Sequence, residues 1–351
     1  MWAPFFCCLA SFWAVAGLPM INKNAVVYHN ADGHSPSQGA TYVAGKLSIF
    51  YKEGLYMDTI CLCRTFCDDE DIAKYCRMLP STTPPDGCKS WMKPIRKGSA
   101  RICLWIKINC HELLEVMNVA DNDIKTLTEI ISQWVGKVGL ELSDFNINRI
   151  DYDYNIPIHE SAREAVIEIL EGLPQRIMHL EKESFPHCVY YVCRSRHVHV
   201  YDKVKERTSK HKKPEEWEID VCRQEVQCYS SHIRYAKSYY GLLPTWENWV
   251  NLDRQAEYLR KAKPVFPQGD FYPMDEAIEI IQASNLKAAK KRNLCKDLQL
   301  IASQGLGALK NSCSINTYKD HLACLENLGV NPFTLPVKYK NLGKIDNPFF
   351  H

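Results

Sequence analysis

The stretch HVHVYDKVKE, residues 197–206, alternates with a period of two. Val198, Val200 and Val204 fall on one face, and His197, His199, Tyr201, Lys203 and Lys205 on the other. The pattern predicts a half-buried strand with chemistry on its polar side. Lys203 would then share a face with Tyr201, about 7 Å along the strand, where its ammonium serves the phosphate that a phenolate attacks. Asp202 interrupts the apolar face and receives no role. Taken alone, the segment equally suits an exposed strand with solvated charges.

Two other segments repeat the alternation. In FNINRIDYDY, residues 145–154, Arg149, Asp151 and Asp153 share one face while Ile150, Tyr152 and Tyr154 share the other. In IDVCRQEVQ, residues 219–227, Arg223, Glu225 and Gln227 fall together. If the three strands are neighbours in one antiparallel sheet with helices over its other face, their polar faces merge. The merged patch holds Asp151, Asp153, Glu225, His199, Tyr201 and Lys203. Converging carboxylates with an imidazole suit a hard divalent cation, Mg²⁺ or Mn²⁺, and a tyrosine beside such an ion is a candidate nucleophile.

The ordered set RIDYD, YDKVKE and RQEVQ, followed by a tyrosine-rich helix, resembles the replication initiation proteins of filamentous phages and related plasmids, the gene II/X family. These are similar to the rolling-circle initiators that nick DNA with a tyrosine. The resemblance covers roughly residues 57–246 and rests on order and spacing, since each motif is short. It implies Tyr201 as the nicking tyrosine and Asp151 and Glu225 as the acidic residues of the metal site; Asp153, a position not every member shares, and His199 are auxiliary ligand candidates from the merged polar face instead. Tyr229, at the end of the strand bearing Glu225, is the second candidate nucleophile, and Tyr235 the third. A His-hydrophobe-His triplet occurs at 197–199, but in the wider nickase superfamily that triplet lies upstream of the tyrosine, so the match here carries no weight. The implied partners are double- and single-stranded origin DNA, a host helicase and a DNA polymerase, in the cytoplasm of a bacterial host and away from membranes. A rival reading is a non-catalytic DNA-binding replication regulator on the same fold, which should lack one of Asp151, Tyr201 and Glu225.

Length and composition describe ordinary globular chemistry: 351 residues, 46% hydrophobic and 24% charged, with a net charge of +2. The length allows one sizeable core and suggests two. Sixteen cysteines would point to disulfides in a small secreted protein. This chain is not small, no pair has the C-x-x-C spacing of a zinc site, and several cysteines fall in apolar strands where a reduced thiol packs as a small hydrophobe.

The first twenty residues are apolar enough to imitate a signal peptide, yet they lack a basic start and a small-residue cleavage site. Met57 opens MDTICLC, which resembles the family's usual beginning, and Lys52-Glu53-Gly54 can be encoded by a bacterial ribosome-binding sequence. Residues 1–56 are therefore read as an extension from a misassigned start, with a real hydrophobic anchor as the alternative, residues 57–228 as the catalytic domain and residues 229–351 as a helical domain for DNA or partner binding. The expected class is α+β: an antiparallel sheet with helices on one face, then an all-helical region. The coarse reading places strands at 58–66, 101–109, 145–154, 188–194, 197–206 and 219–228. Helices are expected at 69–78, from 122, and at 160–173, then throughout the C-terminal region. Residues 80–99 read as a loop. The basic run KVKERTSKHKKP after Tyr201 reads as a phosphate clamp, with Lys205, Arg207, Lys210, Lys212 and Lys213 expected to contact DNA alongside Arg149 and Arg223.

Overall fold

The computed structural model describes residues 55–350 apart from the short segments 67–68, 79–81, 96–100, 117–118, 120, 178, 186 and 263–265. The proposed extension thus lies outside the described residues, except for the backbone of Leu55 and Tyr56. The protein is α+β. Nine strands, β1 (Leu55–Phe66), β2 (Cys88–Pro94), β3 (Ile102–Asn109), β4 (Asn146–Pro157), β5 (Arg176–Ile177), β6 (Leu180–Phe185), β7 (Cys188–Val192), β8 (Arg196–Asp202) and β9 (Val221–Tyr229), form one sheet in the order β2-β3-β1-β4-β9-β8-β7-β6-β5. Every pairing is antiparallel.

Twelve α-helices are described: α1 (Asp69–Met78), α2 (Cys110–Leu114), α3 (Asp121–Gly136), α4 (Glu160–Glu171), α5 (Lys203–Ser209), α6 (Ser230–Tyr240), α7 (Trp246–Trp249), α8 (Leu252–Ala262), α9 (Met274–Ala283), α10 (Ala288–Gln304), α11 (Leu306–Ser312) and α12 (Ile315–Asn327). Among the described residues no helix is long and apolar enough to cross a membrane.

The three alternating segments of the sequence are β4, β9 and β8, and they are consecutive in the sheet. Their apolar residues, among them Ile150, Tyr152, Val198, Val200 and Val226, join one large core with Leu127 and Ile131 of α3, Ala165 and Ile169 of α4, and Ile233 of α6. Tyr152 donates its hydroxyl to the carbonyl of Trp249 at 2.7 Å and stacks on Tyr258, which fastens β4 to α7 and α8. Helices α6 to α8, assigned by the sequence reading to the C-terminal region, therefore pack on the sheet and share its core. A second, smaller core begins only with α9, where Ala277, Ile281, Leu294, Leu298, Leu325 and Val330 meet.

Several expectations need correction. The strand read as 197–206 ends at Asp202, and Lys203 opens α5. Asp202 is the N-cap of that helix: its carboxylate accepts from the Lys205 N–H at 3.1 Å. It also accepts from Arg163 of α4 at 2.7 Å, and Arg163 donates further to the carbonyls of Ile158 and Ile219. The loop read at 80–99 contains β2, and β5 and β6 extend the far edge; edge strands face solvent and carry weak alternation. The strand read at 101–109 as a sheet centre is β3, next to the edge strand β2. The described cysteines are free thiols, five of the strand cysteines being buried.

The Arg163–Asp202 pair is buried on both sides. Arg163→Ala strands a charged carboxylate in the core, and urea unfolding should show a loss of about 3–5 kcal/mol. Adding Asp202→Ala to that variant should cost little more, because the charge left unpaired is then gone. Full additivity of the two losses would mean that the groups do not act as a pair.

Candidate active site

The register brings the polar face of the three strands together residue by residue. Asp153 and His199 both stand opposite Glu225, Tyr201 and Asn155 both oppose Arg223, and Asp151 opposes Gln227. On the other side of β4, Thr59 of β1 opposes Asp151, whereas Met57 opposes Tyr152. Asp58 is thus the extra residue of a β-bulge. Bulges re-aim side chains, and this one lets Met57 and Ile60 both enter the core while Asp58 and Thr59 both serve the acidic face.

Asp58, Asp151 and Glu225 each place a carboxylate oxygen within 4.8 Å of the other two. Octahedral oxygen ligands of Mg²⁺ at about 2.0–2.1 Å lie roughly 3–4 Å apart, so a small inward shift fits this donor set to a hard divalent cation. Asp151 and Glu225 are 1% and 5% exposed, while the Asp58 side chain retains 28% and marks the side from which the cluster is reached. Burial, helped by the Asp58 and Asp151 charges, pushes Glu225 up to about 8. Burial, aided by Asp58 and opposed by the Arg149 guanidinium, pushes Asp151 up to about 6. Asp58 is held below its usual range: burial works against its charge, but Arg223, His111 and Lys203 outweigh it. Buried Asp151 and Glu225 hold protons more tightly than usual when left alone, and a divalent cation reverses that.

Tyr201 donates its hydroxyl to Glu225 Oε2 at 3.1 Å, and Gln227 donates to Glu225 Oε1 at 2.7 Å. The Tyr201 phenol is 8% exposed, and burial together with the Glu225 carboxylate raises it well above its ordinary value. Lys203 reaches it from α5 rather than along the strand, its ammonium 5.8 Å from the ring centroid. Glu206 at 3.3 Å and Glu218 at 3.7 Å hold that ammonium. Burial and then Arg223 lower the Lys203 pKa.

Asp153 lies outside the three-carboxylate cluster. Its Oδ2 receives Arg223 Nε at 3.2 Å and lies 3.3 Å from His111 Nε2, while its buried Oδ1 has no hydrogen-bond partner among the described residues. His199 also lies outside the cluster. Its ring lies tilted against Tyr190 with centroids 3.9 Å apart, burial keeps it neutral by pushing it down to about 3, and its buried Nε2 has no partner among the described residues. Arg223, expected among the DNA contacts, is 1% exposed and divides its guanidinium among Asn155, Asp153 and Asp58. It is the counter-charge that lets four carboxylates share the face. The face expected to be open is accordingly closed at its centre, with these side chains buried against one another.

Arg149 grips Asp151 through Nε at 2.8 Å and lies over the Tyr229 ring. Tyr229 donates to Gln227 Oε1 at 2.6 Å and stands 3.3 Å from His197 Nδ1. The two tyrosines therefore flank Glu225, Tyr201 directly and Tyr229 through Gln227. Within the basic run, Lys205 pairs with Glu164 at 2.6 Å, Arg207 with Glu218 at 2.8 Å, and Lys210 with Glu206. Of the lysines and arginines in that run, Lys212 and Lys213 are exposed and make no ion pair among the described residues.

Sequence reasoning missed Asp58 and His111. A signal for His111 exists: Asn109 and Glu112 have capping spacing, and Asn109 Oδ1 accepts from the Glu112 N–H at 3.2 Å, starting α2 and aiming His111 at Asp153. No protein-family model matches the chain, and no curated protein matches it closely.

Proposed function

We propose that the protein is a metal-dependent, DNA-nicking replication initiator of the rolling-circle kind, acting on a phage or plasmid origin in the bacterial cytoplasm. The observation that carries this reading is the Tyr201 hydroxyl hydrogen-bonded to Glu225 inside a cluster of three carboxylates. The resemblance of RIDYD, YDKVKE and RQEVQ to the gene II/X initiators adds to it. Asp58, Asp151 and Glu225 would hold Mg²⁺ or Mn²⁺. When bound, the ion supplies positive charge for the oxygens of the scissile phosphate.

In this mechanism the Tyr201 hydroxyl, held by Glu225 Oε2, releases its proton by way of solvent as its oxygen attacks phosphorus, and Glu225 stays charged. A phosphotyrosine ester forms at the 5′ side and the bond to the 3′ oxygen breaks. A proton returned from solvent ends on that 3′ oxygen, leaving a hydroxyl to prime synthesis by a polymerase. The ester keeps the phosphodiester bond energy, so the ends rejoin without ATP. Lys203, held between Glu206 and Glu218, steadies the phosphate as charge builds. Arg223 keeps the face neutral enough for the DNA backbone to approach.

The chain retains Asp151, Tyr201 and Glu225, as a catalyst should and a purely regulatory product need not. The test is to incubate the protein with labelled single-stranded DNA from around its own gene, digest, and sequence the DNA-linked peptide. The label should sit on Tyr201. A label on Tyr229 would move the nucleophile to the other side of Glu225, and no covalent product in Mn²⁺ across that whole region would reject the nicking reading.

A further inference from the structure

We propose that α10, α11 and α12 form a helix-turn-helix unit that reads double-stranded DNA, with α12 as the helix entering the major groove. The proposal does not rest on the nicking reading; it comes from a part of the fold that the acidic face does not use. Gly305, at φ +80, turns the chain directly from α10 into α11, its N–H bonding the carbonyl of Ile301 at 2.8 Å. Only Cys313 and Ser314 separate α11 from α12, and Ser314 caps α12 by accepting from the Thr317 N–H at 3.1 Å. Asp297 of α10 bonds His321 of α12, Lys290 pairs with Asp320, and Leu294 and Leu298 meet Leu325 in the small C-terminal core. A long helix, a short helix and a tightly turned third helix packed back on the first is the arrangement of a groove-reading unit.

The face that α12 turns outward has the matching chemistry. His321 and Leu325 are buried, and on the opposite side Asn316, Lys319 and Ala323 are exposed, with Ile315 51% exposed in the first turn. Asparagine pairs with adenine, lysine with guanine, and small apolar groups with the thymine methyl in the major groove. Asn316 and Lys319 occupy the N-terminal half of the helix, the half that reaches base edges, Ala323 lies two turns along the same exposed side, and Glu326 lies near the far end. The surroundings complement phosphate. From residue 287 to the end of α12, Lys287, Lys290, Lys291, Arg292, Lys296, Lys310 and Lys319 stand against Asp297, Asp320 and Glu326, and Asp320 is already paired with Lys290. A protein partner of acidic character would use the same charge but would have no need of the Asn316, Lys319 and Ala323 set.

The experiment selects from a pool of short duplexes of random sequence with the full chain in EDTA, so that nothing is cut. The wild-type protein should enrich one motif. Asn316→Ala with Lys319→Ala should lose about tenfold or more in affinity for that motif, with little change for unselected duplex. Glu326→Ala should behave as wild type, and melting should show the double variant folded, since both side chains point to solvent. Tyr201→Phe should enrich the same motif, which separates this proposal from the nicking chemistry. Three results would overturn it: no motif enriched by the wild type, the same motif at the same affinity with the double variant, or a loss spread uniformly over all sequences.

Discussion

Tyr201→Phe should fold, bind divalent cation and bind DNA, yet lose nicking and 5′ attachment by about four orders of magnitude or more, the scale on which removing a catalytic nucleophile acts. The residue keeps its ring and its place in β8, paired with Cys188 of β7 and Arg223 of β9, so packing is preserved. What disappears is the oxygen that forms the ester and the donor that Glu225 Oε2 holds at 3.1 Å. Supercoiled plasmid carrying the DNA around the gene, incubated with Mn²⁺ and resolved into relaxed and supercoiled forms, reads the outcome. Tyr229→Phe serves as the comparison. It loses a bond to Gln227 and a contact with His197, so it should weaken Glu225's surroundings and slow nicking without ending it. Equal activity of wild type and Tyr201→Phe would remove β8 from the chemistry while leaving the carboxylate cluster standing.

Much of this site is legible from alternation alone, and the parts that are not have identifiable causes. A period of two places Asp151 with Asp153, Arg223 with Glu225, and His199 with Tyr201 on common faces, and the antiparallel register then makes them neighbours. Alternation fails at Asp58, because a bulge inserts one residue and two successive side chains serve the same face. Lys203 is misread for a different reason. Asp202, which fits no strand face, is the cue to a helix N-cap, and a helix swings Lys203 over the Tyr201 ring instead of along the strand. Arg223 reads as a surface cation because sequence cannot reveal that Asp58 of β1 and Asp153 and Asn155 of β4 surround it. His111 lies on a five-residue helix, too short for any apolar period to register.

Alanine at Asp58 or Glu225 should abolish nicking through loss of the cation. Disturbing even the outer partners of a metal site costs about 10–100-fold in affinity, so losing a direct carboxylate should cost at least about 100-fold in calorimetric Mn²⁺ titration. Full cleavage of supercoiled DNA by Glu225→Ala in EDTA would sink the assignment. The same carboxylates fix a pH dependence. Folding raises Glu225 from its usual 4.5 to about 8 and Asp151 from 3.8 to about 6. Over that window the folded chain binds more protons than the unfolded one, so the stability these groups contribute is complete below their unfolded values and is lost as pH rises through 6 and 8. Metal-free protein should accordingly melt lower at pH 8 than at pH 5. A divalent cation needs the carboxylates deprotonated, so its affinity rises over the same interval, and added Mn²⁺ should raise the melting temperature more at pH 8 than at pH 5. Melting in EDTA that instead rises with pH would mean that Asp151 and Glu225 are already charged in the folded chain, satisfied by Arg149 and Arg223 and in no need of an ion.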